Sequence, residues 1–63
     1  MDATQIKMKM LERGIRQRDL AKKWREDPGV VSRLVNRKMR SAPLERKLAR
    51  ELGVPVADLR GDA

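Results

Sequence analysis

Apolar residues recur along this chain at spacings of three and four, never in strict alternation, so the pattern predicts helices and no strands. Ile6 and Met10 lie four apart with Leu11 alongside, which places a first helix over about Thr4 to Arg13. Asp2 or Thr4 is placed to cap it, and Gly14 to stop it. Met8, interleaved with Lys7 and Lys9, falls on the far side and is expected to be exposed. A second helix runs from about Gln17 to Trp24, with Leu20, Ala21 and Trp24 as its inner stripe and Arg18, Lys22 and Lys23 solvated. Asp27-Pro28 opens a third helix, because Asp is a strong N-cap and Pro suits the first helical position. It continues to about Arg37 with Val31, Leu34 and Val35 turned inward. Lys38 to Ala42 reads as a loop. Pro43 begins a fourth helix carrying Leu44, Leu48 and Leu52, which Gly53 ends. Pro55 to Leu59 fits one last turn with Leu59 folded onto the core, and Arg60 to Ala63 reads as a frayed tail. No helix buries its stripe alone, so the expectation is an all-α, compact five-helix bundle. It forms one domain over residues 1–63 with its core over about 4–59.

The third helix divides cleanly when wound at about 100° per residue. Opposite Val31, Leu34 and Val35 stand Gly29, Ser32, Arg33, Asn36 and Arg37. A polar face opposite an apolar one is most often only solvated surface. This one, however, is small near its N-terminus and basic near its C-terminus, which suits a helix lying in the major groove of DNA. Small residues admit close approach, Asn pairs with an adenine edge and Arg with a guanine edge. Val30 borders the face and suits a thymine methyl. Arg37, Lys38 and Arg40 carry positive charge on into the loop, where phosphates are the natural partners.

Composition narrows the partner. Sixteen Lys and Arg against nine Asp and Glu give a net charge of +7 and a pI near 10.9, a surface made for polyanions. A membrane-surface helix wants a stripe of large apolar residues opposite its basic face. This chain has a single Trp, no Phe and no Tyr. No run reaches the length of a membrane span. The opening Met1-Asp2-Ala3-Thr4 lacks an apolar leader core, so a cytoplasmic protein is expected. Cys and His are both absent, which removes the usual zinc ligands and the usual general base. The carboxylates Glu12, Asp19, Glu26 and Glu45 read as scattered over solvated faces. Neither catalysis, nor a cofactor, nor a metal, nor a small-molecule substrate is expected.

The order of these pieces carries a resemblance. The stretch Gly14-Ile15-Arg16-Gln17-Arg18-Asp19-Leu20-Ala21-Lys22-Lys23-Trp24, followed by Val31-Ser32-Arg33-Leu34, resembles the lambda-repressor-like helix-turn-helix family of phage repressor and Cro type. Pro43-Leu44, Leu48-Ala49, Leu52-Gly53-Val54 and Ala57-Asp58-Leu59 are similar to that fold's fourth and fifth helices. The resemblance spans residues 4–59. It implies a prokaryotic or phage regulator acting in the nucleoid or in the infected cell, with the third helix as recognition helix. Gln17 then meets backbone phosphate from the start of the second helix, with Arg16 beside it, and Pro28, Gly29, Ser32, Arg33 and Asn36 fall where the family reaches DNA. A repressor is expected, and because one module covers only about 600–1,000 Å², a homodimer on a palindromic operator, joined through about Val54 to Leu59. Activation through an acidic patch near Asp19 remains open. So does a protein-interaction factor or antitoxin built on the same fold, or a nonspecific nucleic-acid or RNA binder. The sequence departs from the family in the turn, where Arg25 and Glu26 replace a glycine and an aliphatic residue. Either the turn differs in shape or Arg25 carries backbone strain.

Overall fold

Five helices and no strand make up the described residues, 1–61, in a computed structural model of the chain: α1 (Ala3–Glu12), α2 (Gln17–Trp24), α3 (Pro28–Val35), α4 (Ala42–Leu52) and α5 (Val56–Arg60). Local chemistry accounts for most of the boundaries. Asp2 caps α1 through a reciprocal pair: its carboxylate accepts from the Gln5 N–H at 2.8 Å, and the Gln5 side chain accepts from the Asp2 N–H at 3.0 Å. Of the two possible caps, therefore, Asp2 is the one used, and Thr4 lies inside the helix. Asp27 caps α3 by accepting from the Gly29 N–H at 2.7 Å, with Pro28 in the first turn where its missing N–H costs nothing.

The ends of α1 to α4 share one device. In each, a left-handed residue follows the helix, and two backbone bonds close back over it. Ile15 N–H donates to Met10 at 2.8 Å and Val54 N–H to Ala49 at 3.0 Å, with Gly14 and Gly53 in the left-handed position. In α2 and α3 the same bonds run from Glu26 to Ala21 at 2.9 Å and from Lys38 to Arg33 at 2.8 Å, but the left-handed residues are Arg25 (φ 57°) and Arg37 (φ 61°). The turn thus keeps the backbone shape that glycine favours, and Arg25 carries the strain. A side chain in that conformation costs about 1–2 kcal/mol, partly offset because glycine loses more entropy on folding. Arg25→Gly is expected to stabilise the fold by about 0.5–1 kcal/mol, raising Tm by roughly 2–8 °C. A calorimetric scan showing a lower Tm would mean that the Arg25 side chain contributes more than its backbone costs.

The core is Ile6, Met10, Leu20, Val31, Leu34, Val35, Leu44, Leu48, Leu52 and Leu59, closed by Ala21 and Ala49. α2 packs most closely on α3 and α4 on α5, while α1 bridges α3 and α4. The Met1 ammonium donates to the carbonyls of Asp58 (2.7 Å) and Leu59 (3.1 Å), a cation at the negative end of α5.

Several expectations are corrected here. Leu11 is 81% exposed and joins Met8 on the outer side of α1, since only Ile6 and Met10 reach the core. Trp24 is part-buried, packed against the core's edge rather than within it. α3 ends at Val35, two residues early, because Arg37 turns left-handed. Arg60 is helical rather than frayed, and its guanidinium pairs with Glu45. Gly61 is the left-handed cap of α5 (φ 77°), and the remaining expected tail residues, Asp62 and Ala63, lie outside the described residues. Leu59 has no accessible surface, because its side chain closes the core under α4, and so it is not available to a dimer contact.

Glu45 departs furthest from expectation. It is 1% exposed, held among the leucines of α4 rather than in solvent. Its Oε1 accepts from the Ser41 N–H at 3.2 Å and its Oε2 from Arg60 Nε at 2.8 Å, with Arg40 Nε 3.9 Å away. Burial pushes this carboxyl upward, but the Arg60 hydrogen bond, the Ser41 N–H and the two guanidinium charges outweigh it and hold it below the ordinary carboxylate value.

Candidate nucleic-acid interface

α3 presents its outer face as the winding of its sequence requires, because Val31, Leu34 and Val35 are fully buried behind it. At its N-terminal end Pro28 is exposed and Gly29 half-buried. One turn on, the exposed Arg33 side chain reaches back along the helix. Its guanidinium Nη1 lies 3.8 Å from where a Cβ on Gly29 would stand, so Gly29 and Arg33 share one surface. That Cβ would also come within 3.1 Å of the capping Asp27 oxygen, tighter than ordinary contact. A side chain at Gly29 would therefore crowd the cap that starts the helix. Ser32 is half-buried beside this surface, and Val30 is half-buried with part of its side chain against the core.

The C-terminal end of the face differs from its sequence reading. Asn36 Nδ2 donates back to the Ser32 carbonyl at 2.8 Å and sits 3.3 Å from the Ser32 hydroxyl. The amide nitrogen serves the end of α3, and its carbonyl oxygen makes no hydrogen bond among the described residues. A two-bond grip on adenine would use that oxygen with the second Nδ2 hydrogen, since the amide nitrogen carries two. Arg37 is half-buried in its left-handed position, and its Nη1 is enclosed with no hydrogen-bond partner. Lys38 and Arg40, by contrast, are exposed. Arg40 is tethered only weakly, since the 3.9 Å approach to Glu45 leaves its side chain 68% exposed.

The start of α2 supplies a second cationic surface. α2 begins without any side-chain cap, unlike α1 and α3, so the Gln17 and Arg18 N–H groups stay free at the positive end of the helix. Arg16 is exposed at the cap position and Gln17 is half-buried as the first helical residue. Arg16, Arg18 and Lys22 with Asp19 line an open hollow of about 320 Å³. Arg18 and Lys22 were not among the residues expected to bind. Their spacing of four on the outer side of α2, following Arg16, was the available signal.

Electrostatically the sites are one-sided. Among the described residues, Arg16, Arg18, Lys22, Arg33 and Lys38 make no ion pair. The nearby carboxylates are Asp19 and the capping Asp27, and Asp27 is occupied by a backbone N–H. Bringing a polyanion to this surface releases counterions without first breaking internal salt bridges. No group of three or more metal-binding side chains occurs among the described residues, and no described helix is long and apolar enough to cross a membrane. No protein-family model matches the chain, nor does any curated protein or solved structure.

Proposed function

We propose that the chain is a sequence-specific double-stranded DNA-binding regulator of the lambda-repressor-like type, with α2, its turn and α3 acting as a helix-turn-helix. The observation that carries this reading is the surface of α3. A capped, sterically open N-terminal end (Pro28, Gly29) is followed one turn later by an exposed, unpaired Arg33, on a helix whose other side is locked in the core. A helix fixed this way enters a major groove with its register set. Arg33 then reads a guanine edge, with Ser32 beside it. Arg16, Gln17 and the free N–H groups of α2 grip the phosphates on one side, and Lys38 and Arg40 those on the other.

Repression follows from occupancy of an operator that overlaps a promoter. One module covers only about 600–1,000 Å². A homodimer on a palindrome with half-sites roughly 34 Å apart supplies the rest. With Leu59 committed to the core, Val54 and Val56 are the part-buried apolar residues left to such a contact. Sedimentation at micromolar concentration is expected to show dimer in the presence of duplex DNA, and monomer alone under all conditions would contradict it.

The interface is tested by titrating ¹⁵N-labelled protein with duplex DNA at 0.15 M salt. The largest amide shifts are expected at Gln17, Gly29, Ser32, Arg33 and Lys38. Shifts confined to α1 and α4 would overturn the assignment. Lys38→Ala is expected to weaken all DNA sequences alike and to lower the slope of log K against log salt by about one unit. A loss restricted to particular sequences would move Lys38 from phosphate to base.

A further inference from the structure

A cationic cleft lies between the end of α2 and the outer face of α4, lined by Lys23, Trp24, Arg25, Lys47, Arg50 and Glu51, with a volume of about 380 Å³. Its one carboxylate, Glu51, is already held by the Lys23 ammonium. Arg25, Lys47 and Arg50 make no ion pair among the described residues, so the cleft keeps three uncompensated positive charges around an indole. The α3 face, Arg16, Gln17, Lys38 and Arg40 take no part in lining it.

Arg25 is the informative residue. It occupies a left-handed position that glycine fills without strain, and its side chain lines the cleft instead of closing the turn. Backbone strain of this kind clusters where side chains serve a site. Trp and Arg beside one another are the residue types that dominate binding energy between proteins. A DNA backbone meets such cations with its phosphates but offers the indole only the small apolar edges of its sugars. A stacked base wants a whole free ring face, and Trp24, half-buried against the core, leaves only part of its indole to the cleft, room for an aliphatic side chain rather than a base. A small ligand would be poorly enclosed, because the cleft is open-sided and walled by long flexible cations.

We infer that this cleft docks an acidic segment of a protein partner, with an apolar side chain laid on Trp24 and its carboxylates on Arg25, Lys47 and Arg50. The site is separate from the face proposed for DNA, so a bound regulator can carry a second protein.

Trp24 is the chain's single Trp, and Tyr is absent, so its fluorescence reports the cleft directly. The probe is a capped twelve-residue peptide of glutamate with leucine at every fourth position, titrated at 0.15 M salt. The inference expects a saturable blue shift of Trp24 emission. It expects Lys47→Glu to weaken that binding at least tenfold, while the charge-matched Lys7→Glu on α1 changes it less than twofold. No shift, or equal losses in the two variants, overturns the inference. So does displacement of the peptide by a DNA duplex in a manner that Lys47→Glu abolishes, since the cleft would then belong to the nucleic-acid surface. Arg33→Ala leaves the peptide titration unchanged, so the two readings fail separately.

Discussion

Arg60→Ala is expected to cost about 2–4 kcal/mol of stability at pH 7, one of the largest losses available from a single residue outside the core. The Glu45 carboxylate sits among leucines, and Arg60 Nε at 2.8 Å is its principal partner. Removing that partner leaves a charge in an apolar setting with only the Ser41 N–H and the more distant Arg40 to support it. The Arg60 side chain is 30% exposed, which keeps the expected loss below that of a fully enclosed pair. The pH dependence distinguishes this cause from lost packing. In the parent protein Glu45 is held below its ordinary value of 4.5, so its contribution is present above that pH and is lost as pH falls through the lower, folded value. In the variant the upward push of burial is no longer outweighed by Arg60. The folded value then rises, and the deficit against the parent shrinks as pH is lowered from 7 toward 4. Urea denaturation at pH 7, 5.5 and 4.5 reads this directly. A deficit independent of pH would mean that Arg60 stabilises by covering the core rather than by neutralising Glu45.

Arg33→Ala is expected to weaken binding to the preferred DNA site by about 1–3 kcal/mol, roughly 5- to 150-fold, while nonspecific DNA loses little more than one phosphate contact's worth. The argument rests on position. Arg33 is the exposed cation of α3 nearest to the open Gly29 surface, and no carboxylate holds it back. Fold loss does not confound the result, because Arg33 contributes nothing to the core. Competition binding against a panel of single-base variants of the site checks it. Discrimination should collapse at one or two base pairs only. An equal loss on every duplex would reassign Arg33 to phosphate.

The sequence made the local signals of this fold legible, because helix starts and stops depend on neighbours in the chain. Asp27-Pro28, Gly53 and the bounds of α2 stand where their chemistry predicts. The Glu45 site was half-legible. One place after Leu44 and four before Ala49, it falls on the inner stripe of α4, and its charge alone led to a solvated reading. Its partner Arg60 lies fifteen positions on, in a segment that reads as tail, so no local pattern joins the two. The left-handed Arg25 was foreseeable only as strain, since the turn's shape is set by how α2 packs on α3. Arg37 gave no warning, because nothing in its neighbourhood resembles a glycine stop. At the proposed interface, winding α3 turns Val31, Leu34 and Val35 inward and Arg33 outward as the structure has them, but it cannot see that Asn36 bonds back to Ser32. That bond depends on a side-chain rotamer at the helix end.

Selection of duplexes from a random double-stranded library at 0.15 M salt tests the central claim most directly, because at that salt phosphate contacts alone give weak, sequence-blind binding. The expected result is an enriched palindrome whose half-site carries a guanine that Arg33→Ala no longer prefers. A library that emerges unenriched would contradict sequence-specific recognition by α3.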